Sequence, residues 1–204
     1  MVSLMTEHIR GAKYWVFDLD GTLTLPVHDF EHIRLELGLP VGCDILATIE
    51  AKPDPEQRRL NHQLDLLEYF YAEQVVPAEG IKELLGSLVQ RGCHLGILTR
   101  NKRDVALHCL EKMGVQHLFS NAAVLGRDEA MAKPDPEGIN ILLGLWSAEP
   151  GEAVMVGDFR YDLEVGRAAG LATVHVDQRP GRDWPELTDL KVASLVTLNQ
   201  WLGF

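Results

Sequence analysis

Short apolar runs that alternate with helical patterns are the feature that most limits the fold of this 204-residue chain. Each run is continuous, which is typical of a strand covered on both faces. The runs predicted as strands are residues 14–17, 94–98, 153–156 and 171–176, with residues 192–196 as a fifth. Strands that alternate with helices predict a parallel sheet with helices on both faces. Ligands of such sheets bind beyond the carboxyl ends of the strands.

Helical stripes occupy the gaps between these runs. Apolar residues at i, i+3, i+4 and i+7 predict a helix over residues 81–89, which Gly92 is placed to end. A similar stripe predicts a helix over residues 105–113. A further helix is predicted to open with Asp135 as its N-cap and Pro136 at the first helical position.

One long segment breaks the alternation. Residues 25–76 contain no convincing strand, but they favour short helices near residues 29–37 and 44–50 and a longer one over residues 60–71. The longer helix is the one that carries Leu60, Leu64, Leu67 and Phe70 or Tyr71. We interpret the segment as a helical insertion suited to a lid. The predicted domains are therefore a Rossmann-like α/β/α core of residues 1–24 and 77–204 and a small all-helical cap of residues 25–76.

The charge balance limits the partners of the chain. Its formal net charge is −11, and residues 25–76 alone carry ten acidic and four basic side chains. Binding to nucleic acid or to an anionic membrane surface needs clustered Lys and Arg, so neither partner is expected. With 46% apolar and 24% charged residues, the composition is that of an ordinary soluble globular protein.

Cysteine usage favours a reducing compartment. The three cysteines Cys43, Cys93 and Cys109 cannot all pair within one chain, and the last two lie in apolar patterns that predict buried thiols. Residues 1–13 lack the apolar run of a signal peptide, and no run approaches the roughly 18 residues of a membrane span. We expect a cytoplasmic protein, either a monomer or a homodimer.

Two aspartates directly follow the first predicted strand. Asp18 and Asp20 lie two positions apart in a loop that Gly21 opens. One carboxylate could attack an electrophile while the other donates and accepts a proton. An Asx-rich turn that leaves a strand is the alternative interpretation.

Two further polar motifs lie beyond the second predicted strand. Thr99 and Asn101 begin a helix, where a hydroxyl and backbone N–H groups can hold phosphate oxygens or serve only as a helix cap. Lys133 precedes a rigidly started helix and could neutralise phosphate or carboxylate charge. Its motif, Lys-Pro-Asp-Pro-Glu, is repeated at Lys52, so a solvated lysine in a Pro-rich turn is the alternative.

A last acidic pair follows the strand over residues 153–156. Asp158 and Asp162 are four positions apart, so one helical turn brings both to the same face. Together with Asp18 they form an oxygen-rich cluster suited to Mg²⁺. An acidic helix cap with a surface aspartate one turn later is the alternative.

Four such motifs in this order, each at a strand end, resemble the haloacid dehalogenase superfamily. The resemblance covers nearly the whole chain and is strongest to the phosphoglycolate phosphatase-like branch, which has a helical cap after the first motif. It implies that Asp18 is the nucleophile, that Asp20 is the general acid/base with its backbone carbonyl on Mg²⁺, and that Lys133 steadies the phosphoryl charge.

The resemblance also assigns the remaining motif residues. Thr99 matches the phosphate-binding hydroxyl, Asn101 is a candidate to assist it, and Asp158 matches the acidic Mg²⁺ ligand. Asp162 matches the second acid of that motif, which either binds the metal through water or orients the lysine. Arg100 stands where many members have Asn, and it is a candidate for bidentate contact with a substrate anion or an exposed residue at a helix start.

The presence of Asp20 narrows the activity that the resemblance implies. Dehalogenases and phosphonatases of the superfamily lack its equivalent, so phosphate-ester hydrolysis is favoured. We expect a Mg²⁺-dependent phosphatase that hydrolyses a small phosphate monoester, of the phosphoglycolate or sugar-phosphate kind, through an aspartyl-phosphate. A phosphomutase or phosphotransferase, or a non-catalytic module that binds a phosphorylated ligand, are the alternatives.

Two histidines at the entrance to the predicted cap are weaker candidates. His28 and His32 lie four positions apart and could face a substrate or simply lie on the surface.

Overall fold

A parallel sheet organises the chain. The computed structural model describes residues 2–178 and 181–204, with the backbone alone for residues 2–6. Within these ranges, one six-stranded sheet has the order β3-β2-β1-β4-β5-β6, and every neighbouring pair is parallel. The strands are β1 (Tyr14–Phe17), β2 (His94–Leu98), β3 (Val124–Leu125), β4 (Ala153–Gly157), β5 (Ala172–Val176) and β6 (Leu190–Val192).

Helices cover both faces of this sheet. The helices are α1 (Val2–Gly11), α2 (Phe30–Leu37), α3 (Ile45–Glu50), α4 (Asp54–Ala72), α5 (Ile81–Gln90), α6 (Arg103–Lys112), α7 (Glu137–Trp146), α8 (Arg160–Ala168) and α9 (Leu195–Leu202). Trp15 and Phe17 of β1 pack with α1, α5, α6 and α9, whereas Val16 packs with α7 and α8. The two-residue period of a strand produces this division, and the predicted three-layer α/β/α fold is confirmed.

The three helices of residues 25–76 lie apart from the sheet and have a core of their own. Ile33 of α2, Ile49 of α3 and Leu60 of α4 are buried together. Asp29 and Asp44 cap α2 and α3, since the carboxylate of each accepts backbone N–H bonds at 3.0–3.1 Å. The segment leaves and rejoins the rest of the chain at one place, where Thr24 and Pro77 form an antiparallel bridge.

Several elements depart from the boundaries expected from the sequence, and α4 begins at Asp54, six residues before Leu60. The predicted strand over residues 192–196 is wrong except at Val192, because β6 ends there and the Ser194 hydroxyl accepts the N–H of Thr197 at the start of α9. The two-residue strand β3 is too short for its periodicity to be detected. Helix α7 begins at Glu137, one residue later than expected, and the Asp135 carboxylate accepts the N–H of Glu137 at 2.9 Å.

All three cysteines are free thiols. Cys109 is buried, as predicted, but Cys93 is only half-buried, and its Sγ lies 3.5 Å from the carbonyl oxygen of Ala12. No helix among residues 2–178 and 181–204 is long and apolar enough to cross a membrane.

Candidate active site

Asp18 occupies the centre of the sheet at its carboxyl edge. It follows β1, which lies between β2 and β4, and its N–H donates to Val156 of β4 at 2.9 Å. The next residues form one irregular helical turn in which Gly21 has a φ of +89°. A Cβ at Gly21 would lie 2.5 Å from Oδ2 of Asp158. Glycine therefore permits both the left-handed backbone and the close approach of the two loops.

Lys133 joins two of the predicted acids. Its Nζ donates to Oδ1 of Asp18 at 2.5 Å and to Oδ1 of Asp162 at 2.6 Å, and the lysine is 97% buried. Burial lowers the pKa of Lys133, but the two carboxylates more than offset this and raise it. Lys52 of the repeated motif is partly exposed, and its ion pair among the described residues is with Glu56, at 3.3 Å. The two copies of the motif therefore lie in different environments, and of the two lysines it is Lys133 that lies buried between carboxylates.

Three carboxylates form a cluster of oxygen ligands, which is the type of ligand that a hard cation prefers. Asp18, Asp158 and Asp162 each present an oxygen, and these atoms lie within 4.8 Å of one another. Burial and the charge of Asp162 raise the pKa of Asp158 to about 7, and the same two causes raise that of Asp18. The raised pKa values show that nearby cations such as Lys133 do not neutralise this group fully, and an all-oxygen donor set of this kind fits Mg²⁺.

Asp162 has both carboxylate oxygens engaged. Oδ1 accepts from Lys133 at 2.6 Å and Oδ2 from the N–H of Phe159 at 3.0 Å. Its carboxylate therefore orients the lysine and stabilises the first turn of α8.

Asp20 is held from two sides. Its Oδ2 accepts from Nδ2 of Asn101 at 2.6 Å, and its Oδ1 lies 3.0 Å from Nδ1 of His28. Asn101 belongs to the loop after β2, whereas His28 belongs to the segment of residues 25–76. Burial lowers the pKa of His28, but the neighbouring Asp20 reverses this, and the net direction is upward.

The loop after β2 brings Thr99, Arg100 and Asn101 to the same edge. Thr99 is buried, and its hydroxyl accepts the N–H of Asn101 at 3.2 Å. Arg100 points to the inserted segment, where its Nη2 donates to both oxygens of Asp44 at 2.6 and 2.8 Å. Its guanidinium also stacks on the Tyr161 ring, 4.8 Å from the centroid.

A cavity of about 750 Å³ lies between this edge and the inserted helices. The predicted site residues that line it are Asp18, Asp20, Thr99, Arg100, Asn101, Lys133, Asp158 and Asp162. Its opposite wall is mostly apolar and includes Phe30, Ile33, Ile45 and Leu64. The structure thus brings together all eight residues that the motifs singled out, beside a volume that suits a small organic ligand.

Sequence motifs did not reveal a partly buried ion-pair network between the inserted segment and the core. Arg127 donates to Glu68 at 2.5 and 2.6 Å and to Asp65 at 2.6 Å, while Lys102 donates to Asp65 at 2.7 Å. Burial raises the pKa of Glu68 to about 7 despite this pairing. The sequence contained one sign of this network. Glu68 lies four residues after Leu64, at a position where the apolar stripe of α4 would be expected to continue with an apolar side chain.

The two histidines do not share an environment. His28 is buried and lines the cavity. His32 bonds through Nδ1 to the hydroxyl of Tyr71 at 3.0 Å, and its other ring nitrogen lies 3.6 Å from Glu36.

The all-parallel sheet thus places Asp18 directly after its central strand, and Lys133 lies buried between Asp18 and Asp162. The family profile of haloacid dehalogenase-like hydrolases matches residues 15–176. The chain belongs to this family, and the resemblance seen in its motifs is confirmed.

Individual relatives support the assignment. The chain is 32% identical to a haloacid dehalogenase-like hydrolase domain-containing protein of Arabidopsis thaliana, over 96% of this chain and 82% of that protein. It is 34% identical to the pyrophosphatase PpaX of Bacillus pumilus, with coverages of 79% and 81%. The crystal structure of a predicted phosphoglycolate phosphatase from Haemophilus somnus superposes with a TM-score of 0.71 at 21% identity, over 93% of this chain and 97% of that one, and shows the common fold.

Proposed function

We propose that this protein is a Mg²⁺-dependent phosphatase that hydrolyses a small phosphate monoester through an aspartyl-phosphate. The observation that carries the proposal is the contact of buried Lys133 with Asp18 at 2.5 Å beside the carboxylate of Asp158. A transferring phosphoryl group needs positioning and cationic charge more than covalent assistance, and this arrangement supplies both next to a nucleophile.

The proposed reaction has two steps on Asp18. An oxygen of Asp18 forms a bond to phosphorus while the bond from phosphorus to the leaving oxygen breaks, and Asp20 gives its proton to that oxygen. Water then attacks phosphorus, Asp20 takes a proton from it, and the bond to Asp18 breaks to release inorganic phosphate. Thr99, Asn101 and Lys133 hold the phosphate oxygens in this scheme.

The metal would be held by Asp18, Asp158 and the backbone carbonyl of Asp20. When bound, Mg²⁺ supplies the positive charge that lets an anionic carboxylate approach an anionic phosphate. Asp162 is assigned to the orientation of Lys133, because both of its oxygens are already engaged.

Residues 25–76 are proposed to act as the cap that encloses the substrate. Their helices form one wall of the 750 Å³ cavity, and Arg100 reaches across it to Asp44. A substrate anion could compete with Asp44 for this guanidinium, which would make Arg100 a substrate-binding residue. The names of relatives, a pyrophosphatase and a predicted phosphoglycolate phosphatase, support a small phosphorylated substrate.

A substrate panel tests the proposal. The purified protein is incubated with 2-phosphoglycolate, sugar phosphates, pyrophosphate and aryl phosphates, with and without Mg²⁺, and released phosphate is measured. Asp18→Asn is expected to lower kcat at least about a thousandfold, whereas Asp104→Asn, at the exposed start of α6, retains activity. Mg²⁺-dependent release that survives in Asp18→Asn would contradict the proposal, and migration of phosphate without release would favour a mutase.

A further inference from the structure

His28 is a buried side chain at the reaction centre that the proposed roles leave unused. Its side chain is only 4% exposed and lines the cavity. Neither ring nitrogen has a hydrogen-bond partner of good geometry among the described residues. A buried imidazole without such a partner costs free energy, so its retention at this place needs a reason.

The contact of His28 with Asp20 supplies that reason. Nδ1 lies 3.0 Å from Oδ1 of Asp20, while Asn101 donates to Oδ2 at 2.6 Å. Each oxygen of this carboxyl group therefore has its own nitrogen neighbour, one from the loop after β2 and one from the inserted segment. A carboxyl group flanked in this way has little freedom to rotate about its last bond.

The ring of His28 is itself held in place. It stacks on Phe30 with centroids 5.8 Å apart and packs against Tyr71 at 5.0 Å. The hydroxyl of Tyr71 is in turn bonded to His32 at 3.0 Å. Rigid packing of a supporting residue is what keeps a catalytic group within a few tenths of an ångström of its productive position.

We propose that His28 is a positioning residue, which holds the carboxyl group of Asp20 in the orientation that delivers a proton to the leaving oxygen. The inference rests on the proposed function. In the affected step, the proton passes from Asp20 to the leaving oxygen as the bond between that oxygen and phosphorus breaks. Such general acid catalysis contributes about 10²–10⁴-fold and depends steeply on geometry.

The choice of substrate isolates this step. n-Propyl phosphate releases an alkoxide that must be protonated, whereas 2,4-dinitrophenyl phosphate releases a phenolate that leaves without a proton. The readout is the ratio of kcat/KM for the two substrates, since kcat/KM covers the steps up to departure of the leaving group. The ratio does not depend on the fraction of folded enzyme, so a partly unfolded variant still gives a valid answer.

Two variants distinguish the effect of the ring nitrogen from the effect of the shape of the ring. His28→Leu keeps an apolar body but removes Nδ1, and we expect it to lower the alkyl-to-aryl ratio by about tenfold or more. His28→Asn places an amide nitrogen near the position of Nδ1 and is expected to recover most of the ratio. A ratio unchanged in His28→Leu, or lowered equally in both variants, would overturn the inference.

The same assay separates this inference from the proposed function. Asp20→Asn must lower the alkyl-to-aryl ratio of kcat/KM more than either His28 variant does. Asp18→Asn must lose activity on both substrates. If either fails, the proposed function is wrong. If both hold and His28→Leu lowers the two substrates equally, only the role of His28 is refuted.

Discussion

Gly21 and Asp158 approach so closely that a Cβ on the glycine would lie 2.5 Å from Oδ2 of the aspartate. Two loops from neighbouring strands thus meet at a point where only a hydrogen fits. The contact fixes the carboxylate of Asp158 against the backbone that follows Asp18.

Gly21→Ala is therefore expected to disturb the proposed Mg²⁺ site more than the fold. Its left-handed φ alone costs about 1–2 kcal/mol with a side chain, and the steric overlap displaces Asp158. We expect a rise in the Mg²⁺ concentration needed for half-maximal activity. Gly38→Ala is the matched control, because Gly38 also has a positive φ but nothing within 4 Å. An equal change of Mg²⁺ requirement in both variants would show that the overlap is irrelevant.

The two copies of the Lys-Pro-Asp-Pro-Glu motif provide a second test. Lys133→Met removes the cation between Asp18 and Asp162 and is expected to lower kcat by at least about a hundredfold. Lys52→Met removes a partly exposed lysine that pairs with Glu56 and should leave kcat within about twofold. Phosphate release from the best substrate of the panel measures both, and a Lys133→Met enzyme as active as Lys52→Met would refute the assigned role.

The ion pair of Arg127 and Glu68 makes the junction between α4 and the core sensitive to single substitutions. Arg127→Met leaves Glu68 buried without its main partner, and such a change costs about 3–5 kcal/mol. The double variant Arg127→Met with Glu68→Leu buries no unpaired charge there and is expected to be more stable than Arg127→Met alone. Urea unfolding of the four proteins of the cycle gives the free energies, and additive losses would contradict the expectation.

Stability without metal is expected to depend on pH through Asp158. The pKa of Asp158 is raised from 3.8 to about 7, so between these values the folded state holds a proton that the unfolded chain releases. The folded state therefore loses stability as the pH rises from about 4 to about 7. Mg²⁺ bound at the proposed site would stabilise the ionised form of Asp158 and should flatten the profile relative to EDTA.

Thermal unfolding in EDTA and in excess Mg²⁺, across this pH range, measures the effect. Asp158→Asn is the control, since it lacks the titrating group and should show a weaker slope in EDTA. An identical slope in the wild type and in this variant would show that Asp158 does not govern the profile.

The motifs at strand ends could be read from the sequence because they are local. Asp18, Thr99 and Asp158 each follow an apolar run within one or two residues. Parallel strands carry all their carboxyl ends to one edge, so the order of the motifs along the chain was enough to predict that they meet. The sheet order places β1 between β2 and β4, so the loops that carry these three residues lie side by side.

Contacts across the cavity could not be predicted in this way. Arg127 and Glu68 are 59 positions apart, and no periodicity links a loop after β3 to a face of α4. The two histidines at the entrance of the inserted segment could not be told apart from their spacing, because α2 begins at Phe30, between them. His28 lies before the helix and turns towards Asp20, whereas His32 lies within it and bonds to Tyr71.

The central place of β1 has a consequence for how the chain acquires its structure. Tyr14 pairs with His94 on one side and with Ala153 on the other, so long loops must close before this strand gains its neighbours. Loop closure of this kind slows folding, whereas α4 and the helices beside it make contacts within one short segment. Pulsed hydrogen exchange during refolding should therefore find the amides of α4 protected before those of β1, and the reverse order would contradict this expectation.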